Sequence, residues 1–178
     1  MTNKWLKVAL MATAIATGTS INIDAETVLY VPQDDRPVSL QYTVDTAREA
    51  GMTVLTPPQN LISGKTYQGQ ADQIMAWVEQ NAGRADVMVL STDTLIYGGL
   101  VDSRKHNIPL STLESRLKRI EGLKARHKNV RIYGFGTVMR SPRASGGGTE
   151  PAYYAEYGPT IFLSCFLVFL LSCLLAFV

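Results

Sequence analysis

The amino-acid sequence predicts an α/β protein built on a parallel sheet. Four short apolar segments alternate with three segments whose apolar residues recur at helical spacing. Such a β-α-β-α-β-α-β order implies parallel strands joined by right-handed crossovers. We favour the first half of a (β/α)8-like barrel, and an open doubly wound sheet is the alternative.

The four predicted strands are Thr27–Val31, Thr53–Thr56, Asp86–Ser91 and Val130–Val138. The first three are short apolar runs without alternation, which is typical of parallel strands covered on both faces. They therefore predict a sheet with helices packed against both sides.

Three helices are predicted between these strands. The first begins at a Ser39 cap and ends at Gly51. The third begins with a capping box over Ser111–Glu114, directly after Pro109. The apolar residues at helical spacing are, helix by helix, Leu40, Val44 and Ala47; Ala71, Ile74, Met75 and Val78; and Leu110, Leu113, Leu117, Ile120 and Leu123.

The composition of the chain excludes two classes of protein. The chain has 178 residues, of which 46% are hydrophobic and 18% charged, and a formal net charge of +2. These values exclude a disordered or collagen-like chain, and the length suits about one domain. Residues 101–150 carry a local net charge of +7, which we interpret as the solvated face of an amphipathic helix. Nucleic-acid binding is not predicted.

Both ends of the chain differ from its middle. Residues 1–25 have an early pair of lysines, a short uncharged stretch and a small residue at Ala25, the layout of a signal peptide. This predicts export to the periplasm, the cell surface or the medium. Residues 26–160 form the predicted partial α/β domain. Residues 161–178 contain 16 apolar residues, enough for a transmembrane helix. The tail is either a membrane anchor or a segment foreign to a truncated domain.

Motifs for metals and cofactors are absent. Cys165 and Cys173 lie in the apolar tail, and the two histidines are isolated in sequence. The segment Ser63–Thr66 ends like a phosphate-binding P-loop, but Gln59 stands where that motif needs glycine. We therefore predict no cofactor and no metal.

Charged and aromatic residues follow the predicted strands. In parallel α/β folds, ligands bind at the carboxyl ends of the strands, so these residues define a candidate rim. In chain order they are Asp34, Asp35, Arg36, Asp93, Tyr97, Arg104, Arg140 and Glu150.

Asp35, Asp93 and Glu150 are the candidate catalytic residues. Two carboxylates with separated pKa values can act as acid and base in glycoside hydrolysis. The candidate ligand-binding residues are Asp34, Arg36, Tyr97, Arg104 and Arg140. Arginine can hold a carboxylate or phosphate through paired hydrogen bonds, and Tyr97 can stack on a sugar ring. Turn formation and rim packing are the simpler roles for the same side chains.

Three motifs carry a resemblance to a known family. They are Asp34-Asp35-Arg36-Pro37, Thr56-Pro57-Pro58, and the long pattern Ser91-x-Asp93-x-Leu95-x-Tyr97-Gly98-Gly99-Leu100-x-x-Ser103-Arg104. Over residues 28–162 the chain resembles the bacterial domain of unknown function 4127 family. The resemblance implies a longer protein without an established activity, and a shared rim of Asp35, Asp93, Tyr97 and Arg104. The chain departs from the family after Phe162.

Three functions fit these residues. The first is a carbohydrate-active hydrolase in the full-length form, using the rim carboxylates. The second is a non-catalytic module that binds an acidic glycan or cell-wall material through arginines. The third is a metal-dependent phosphate-ester hydrolase, for which carboxylates without nearby histidine suit Mg²⁺ or Ca²⁺. Because half a barrel would lack part of its site, we expect this chain itself to be inactive.

Overall fold

A computed structural model describes residues 25–138 and 150–175, with side chains up to Leu167. The predicted signal peptide, apart from Ala25, and the candidate residue Arg140 lie outside the described residues. The statements below concern the described part of the chain.

The sheet consists of four parallel strands, β1 (Thr27–Val31), β2 (Thr53–Leu55), β3 (Val87–Ser91) and β4 (Arg131–Phe135). In the central register, Leu29 of β1 lies opposite Leu55 of β2 and Met88 of β3. All four predicted strands are confirmed, and β4 ends three residues before its predicted end.

The strand order is β2-β1-β3-β4. In a (β/α)8 barrel consecutive strands are neighbours, so β2 would lie between β1 and β3. Here β1 lies between them, which is the order of an open doubly wound sheet. The α/β class with a parallel sheet is therefore confirmed, and the half-barrel arrangement is corrected to the doubly wound alternative.

Within the described ranges, six α-helices accompany the sheet. They are α1 (Gln41–Glu49), α2 (Ala71–Asn81), α3 (Thr92–Tyr97), α4 (Asp102–Lys105), α5 (Leu110–Arg126) and α6 (Tyr154–Leu175), with 3-10 turns at Gln59–Leu61 and Ala82–Arg84. The two long connections that follow β2 and β3 supply α2 and α5. The short helices α3 and α4 lie between β3 and α5, where no helix was predicted.

The main core lies between one face of the sheet and the helices α2 and α5. Alternate strand residues point into it, and α2 buries all four of its predicted apolar positions. On α5 only Leu123 is fully buried, whereas Leu110 is 70% exposed. The core residues from the sheet and α2 are Leu29, Val31, Met88, Leu90, Ile74, Met75 and Val78.

The opposite face of the sheet is covered by α1, which contacts β2 and buries Val44. Beside α1 an apolar cleft of about 320 Å³ extends over the sheet. Its walls include Val28, Tyr30, Val87 and Tyr133.

Two predicted helix caps are wrong. Helix α1 begins after Leu40, because the Ser39 and Leu40 amides both donate to the Arg36 carbonyl in a preceding turn. The Ser39 carbonyl instead accepts from the Tyr30 hydroxyl. Helix α5 begins directly after Pro109, whose carbonyl accepts the first helical bonds, so Ser111 lies inside the helix and caps nothing.

Helix α6 runs through the predicted boundary between domain and tail at residues 160 and 161, with Pro159 inside it. Among the helices of residues 25–138 and 150–175, none combines the length and apolar character that a membrane crossing requires.

Candidate functional site

The candidate site lies at the carboxyl ends of β1 and β3. These strands are neighbours, and the chain winds in opposite directions on either side of them, which makes this edge the switch point of the sheet. Ligands of open α/β sheets bind in the crevice at such a point. Asp34 and Asp35 follow β1, and Asp93 follows β3, so the structure brings these three predicted residues to one edge.

Asp93 is 7% exposed and lies in the first turn of α3. Its Oδ2 accepts a hydrogen bond from Gln33 Nε2 at 3.1 Å and from the backbone amide of Thr137 at 3.0 Å. Gln33 follows β1 and Thr137 follows β4. The carboxylate therefore joins the ends of three strands.

Asp34 is 5% exposed and paired with Arg36. Its Oδ2 accepts from both Arg36 Nε and Arg36 Nη2 at 2.8 Å, and its Oδ1 accepts from the Arg36 amide at 3.3 Å. The hydrogen bond to Asp34 raises the pKa of the Arg36 guanidinium. Pairing with the guanidinium offsets the cost of burying the Asp34 carboxylate.

Asp35 faces a different neighbour. Its carboxylate accepts from the Tyr67 hydroxyl, and its amide donates to the Ser63 carbonyl at 2.9 Å. The hydrogen bond to Asp35 raises the pKa of Tyr67. Asp35 is thus fixed by the loop over residues 62–70, which connects the turn after β2 with α2.

Two glycine-containing loops pack backbone to backbone at this edge. Gly98 ends α3 with a left-handed φ of +104°, which favours glycine. A Cβ on Gly69 would overlap the Gly98 carbonyl oxygen, and a Cβ on Gly99 would overlap the Ser63 side chain. Only glycine permits this approach, which positions Ser63 and its neighbours beside the rim.

Asp102, in α4, lies beneath this contact. It is 7% exposed, and its Oδ2 has no hydrogen-bond partner in the described structure. Burial raises the pKa of Asp102, although the Gly69 backbone, the Gln68 side chain and Lys105 oppose the shift. Burial therefore disfavours the ionised form of this carboxyl relative to that of an exposed aspartate.

A cleft of about 230 Å³ opens between these loops, and we call it the basic cleft. Three basic side chains and one carboxylate line it, with an apolar patch from Leu100 and Val101. Its residues are Asp34, Arg36, Ser63, Gly64, Lys65, Leu100, Val101 and Arg104. Because Asp34 is already paired with Arg36, the cleft suits an anionic ligand.

The other predicted residues lie around this edge in different settings. Tyr97 is half-buried and contacts the His106 ring, with 4.7 Å between ring centroids. Arg104 lines the basic cleft. Glu150 is half-buried and precedes the turn that leads into α6. Their catalytic and binding roles stay predictions.

Sequence reasoning missed Lys65 and Asp102. The signal for Lys65 was the Ser63–Thr66 segment, which we set aside because it fails as a P-loop. Asp102 follows the third predicted strand, but the sequence does not show its burial, which depends on how the two loops pack. Within the described residues, no group of three or more histidine, cysteine or acidic side chains could hold a metal ion.

These features define an α/β protein with an open doubly wound sheet and a basic cleft at the switch point. Residues 28–167 match the family described as Protein of unknown function (DUF4127). The chain belongs to this family, which confirms the resemblance carried by its three motifs. Neither the curated proteins nor the solved structures contain a significant match to the chain.

Proposed function

We propose that this protein binds an acidic sugar of a glycan through the basic cleft. The observation that carries the proposal is the convergence of Arg36, Lys65 and Arg104 on one cleft of about 230 Å³. A cleft of this size admits a single sugar unit more readily than a macromolecule.

The chemistry of the lining matches an anionic sugar. The Asp34–Arg36 pair is internally neutralised, and Lys65 and Arg104 are the other two basic side chains that line the cleft. Leu100 and Val101 give an apolar wall against which the C–H face of a sugar ring can pack. A uronic acid offers both a carboxylate and such a face. Export, proposed from residues 1–25, would bring the cleft to envelope polysaccharides.

Binding is favoured over hydrolysis by the positions of the carboxylates. Glycosidases need two carboxylates that flank the same bond. Asp93 accepts two hydrogen bonds from neighbouring strand ends, and neither Asp93 nor Asp35 lines the basic cleft. Hydrolysis with Asp35 or Glu150 remains a second candidate, supported by the position of Asp35 beside Asp34 at the rim.

The test is a calorimetric titration of the full chain with galacturonic acid, and with galactose as the neutral control. We expect binding of the acid only, weakened by added salt. Lys65→Gln should weaken it at least about tenfold, since a charge-assisted hydrogen bond contributes about 1.5–3 kcal/mol.

The matched control is Lys118→Gln, an exposed lysine on α5 away from the cleft. It should leave the affinity unchanged. Equal binding of galactose and galacturonic acid, or full affinity in Lys65→Gln, would contradict the proposal.

A further inference from the structure

We propose that Asp35 and Tyr67 are positioning residues, which hold Lys65 at the basic cleft through a hydrogen bond that lies outside it. This inference rests on the proposed function and specifies how the cleft obtains its preference for an anion. Neither Asp35 nor Tyr67 is among the residues that line the cleft, so both would act through the side chain that they place.

Among the basic side chains of the cleft, Lys65 is the one that has no partner within the described residues. Arg36 is paired with Asp34, and Arg104 has interaction partners of its own. Lys65 is exposed, and no ion pair joins it to a carboxylate in the described part of the chain. Recognition of an anion therefore depends most on where Lys65 lies.

Asp35 contacts the loop over residues 62–70 at two points. Its backbone amide donates to the Ser63 carbonyl at 2.9 Å, and its carboxylate accepts from the Tyr67 hydroxyl. Lys65 lies between these two points along the chain. Because Asp35 follows β1, both hydrogen bonds tie the segment that bears Lys65 to the end of the sheet.

Tyr67 closes this loop over its own middle. Its carbonyl accepts from the Gly64 amide at 3.1 Å, which fixes the backbone on either side of Lys65. Its ring lies directly against Gly64, where a Cβ would overlap the ring atoms next to the hydroxyl. Glycine at position 64 therefore lets the ring cross the loop and bring its hydroxyl to Asp35.

The hydrogen bond matters because the loop has little packing of its own. Residues 65–68 are all exposed. A side chain that is already placed before the ligand arrives loses less conformational entropy on binding, which strengthens the affinity. The bond between Asp35 and Tyr67 should therefore raise the affinity for an anion without contacting it.

The experiment is a calorimetric titration of the full chain and its variants with galacturonic acid. Tyr67→Phe removes the hydroxyl, keeps the ring and should weaken binding about threefold, as expected for one exposed hydrogen bond. In the Lys65→Gln background the same change should have no effect, because a positioning residue acts only through the group that it places. Equal weakening in both backgrounds would overturn the inference.

Two substitutions of Asp35 separate positioning from other roles of its carboxylate. Asp35→Ala removes the acceptor and should weaken binding as much as Tyr67→Phe does. Asp35→Asn keeps an acceptor oxygen for the Tyr67 hydroxyl and should recover most of the lost affinity. If Asp35→Asn binds as weakly as Asp35→Ala, the charge of Asp35 is required and the positioning role is wrong.

The ionisation of Tyr67 reports the same hydrogen bond without any ligand. The bond with Asp35 raises the pKa of Tyr67, so Asp35→Ala should return this pKa towards that of an ordinary tyrosine. Phenolate absorbance measures it, with the matching Tyr67→Phe protein subtracted in each case. An unchanged pKa of Tyr67 in Asp35→Ala would also overturn the inference.

Tyr42→Phe is the matched control, since Tyr42 is exposed on α1 and likewise loses only a hydroxyl. It should leave the affinity unchanged. Full affinity in Tyr67→Phe would overturn this inference and leave the proposed function standing. Absence of binding by the wild-type protein would overturn the proposed function, and this inference with it.

Discussion

At the residue scale, the shape of the basic cleft depends on positions that carry no functional group. Gly69 and Gly98 touch through their backbones, and this contact fixes the loop that bears Ser63, Gly64 and Lys65. The Gly64 amide donates to the Tyr67 carbonyl at 3.1 Å, which closes the same loop on itself. The position of Lys65 is therefore set by backbone packing several residues away.

Gly69→Ala should destabilise the protein and weaken ligand binding. Its Cβ would overlap the Gly98 carbonyl oxygen and lie 2.9 Å from the Ser63 amide nitrogen, and neither backbone atom can rotate away. Overpacking of this kind costs about 1–3 kcal/mol. Urea unfolding measures the loss, and titration with galacturonic acid measures the change at the cleft.

The control for this prediction is Gly83→Ala, because a Cβ on Gly83 meets nothing within 4 Å. We expect it to be neutral or to stabilise by about 0.4–1 kcal/mol through the unfolded chain. If both variants unfold at the same urea concentration, the backbone contact does not position the loop.

At the element scale, ion pairs join α2 to α5. Arg116 on α5 donates to both carboxylate oxygens of Asp72 on α2, at 3.1 and 2.6 Å, and to the Ile96 carbonyl at 2.6 Å. Its side chain is 13% exposed. Arg119 pairs with Glu79, about two turns further along α2. Helix α5 is thus held against its neighbours by these ion pairs as well as by the buried side chain of Leu123.

Arg116→Met should lower the free energy of unfolding by about 1–2 kcal/mol, because it removes charge-assisted hydrogen bonds while retaining the apolar stem. The hydrogen bond from Arg116 lowers the pKa of Asp72. The stabilisation is therefore complete above the pKa of an unfolded aspartate and is lost as pH falls through the lower folded value. The difference between wild type and variant should shrink in acid.

Urea unfolding at neutral and acidic pH measures this difference. Lys118→Met on the same helix is the control and should change stability by no more than about 0.5 kcal/mol. An Arg116→Met effect that stays constant down to strongly acidic pH would show that Asp72 does not contribute.

The elements themselves were largely predictable, because apolar spacing records which face of each strand and helix is buried. The α2 positions Ala71, Ile74, Met75 and Val78 are all buried as predicted. The ends of two helices were predicted wrongly. A turn at Arg36 sets the start of α1, so Ser39 is not its cap, and Pro109 sets the start of α5, so Ser111 is not its cap. Helix α3 was missed because its six residues are too few for a periodic pattern.

At the scale of the whole molecule, the order of the strands decides where the site lies. The alternation of strands and helices fits both a barrel and an open sheet, because the order of elements along the chain does not determine which strands lie next to each other in the sheet. The order β2-β1-β3-β4 distinguishes the open sheet from the barrel. In an open sheet the expected ligand site is the crevice between β1 and β3 and not a ring of strand ends. The expectation of an incomplete, inactive half-barrel site no longer follows from this topology. The sequence predicts Arg36 and Arg104 on one rim, whereas the position of Lys65 beside them could not be predicted, because it depends on loop packing.

Export is a prediction about the whole chain. We expect the intact protein to be processed near Ala25, and a fusion that lacks residues 1–25 to stay in the cytoplasm. Mass spectrometry of the mature N-terminus measures the cleavage position. An unprocessed Met1 in the cell envelope would refute cleavage, and membrane attachment through residues 161–178 would then be tested by carbonate extraction.

The hydrogen bonds of Asp93 also bear on the dynamics of the sheet edge. Among the described strands β4 pairs with β3 alone, and the amide of Thr137 beyond its end is held by Asp93. Peeling β4 away must break this bond and release Gln33, which also donates to Thr137. Amide hydrogen exchange at Thr137 therefore reports the local opening of the whole edge, although the residue itself is exposed. Deuterium uptake there should be slower than at its exposed neighbour Val138, and Asp93→Ala should abolish the difference.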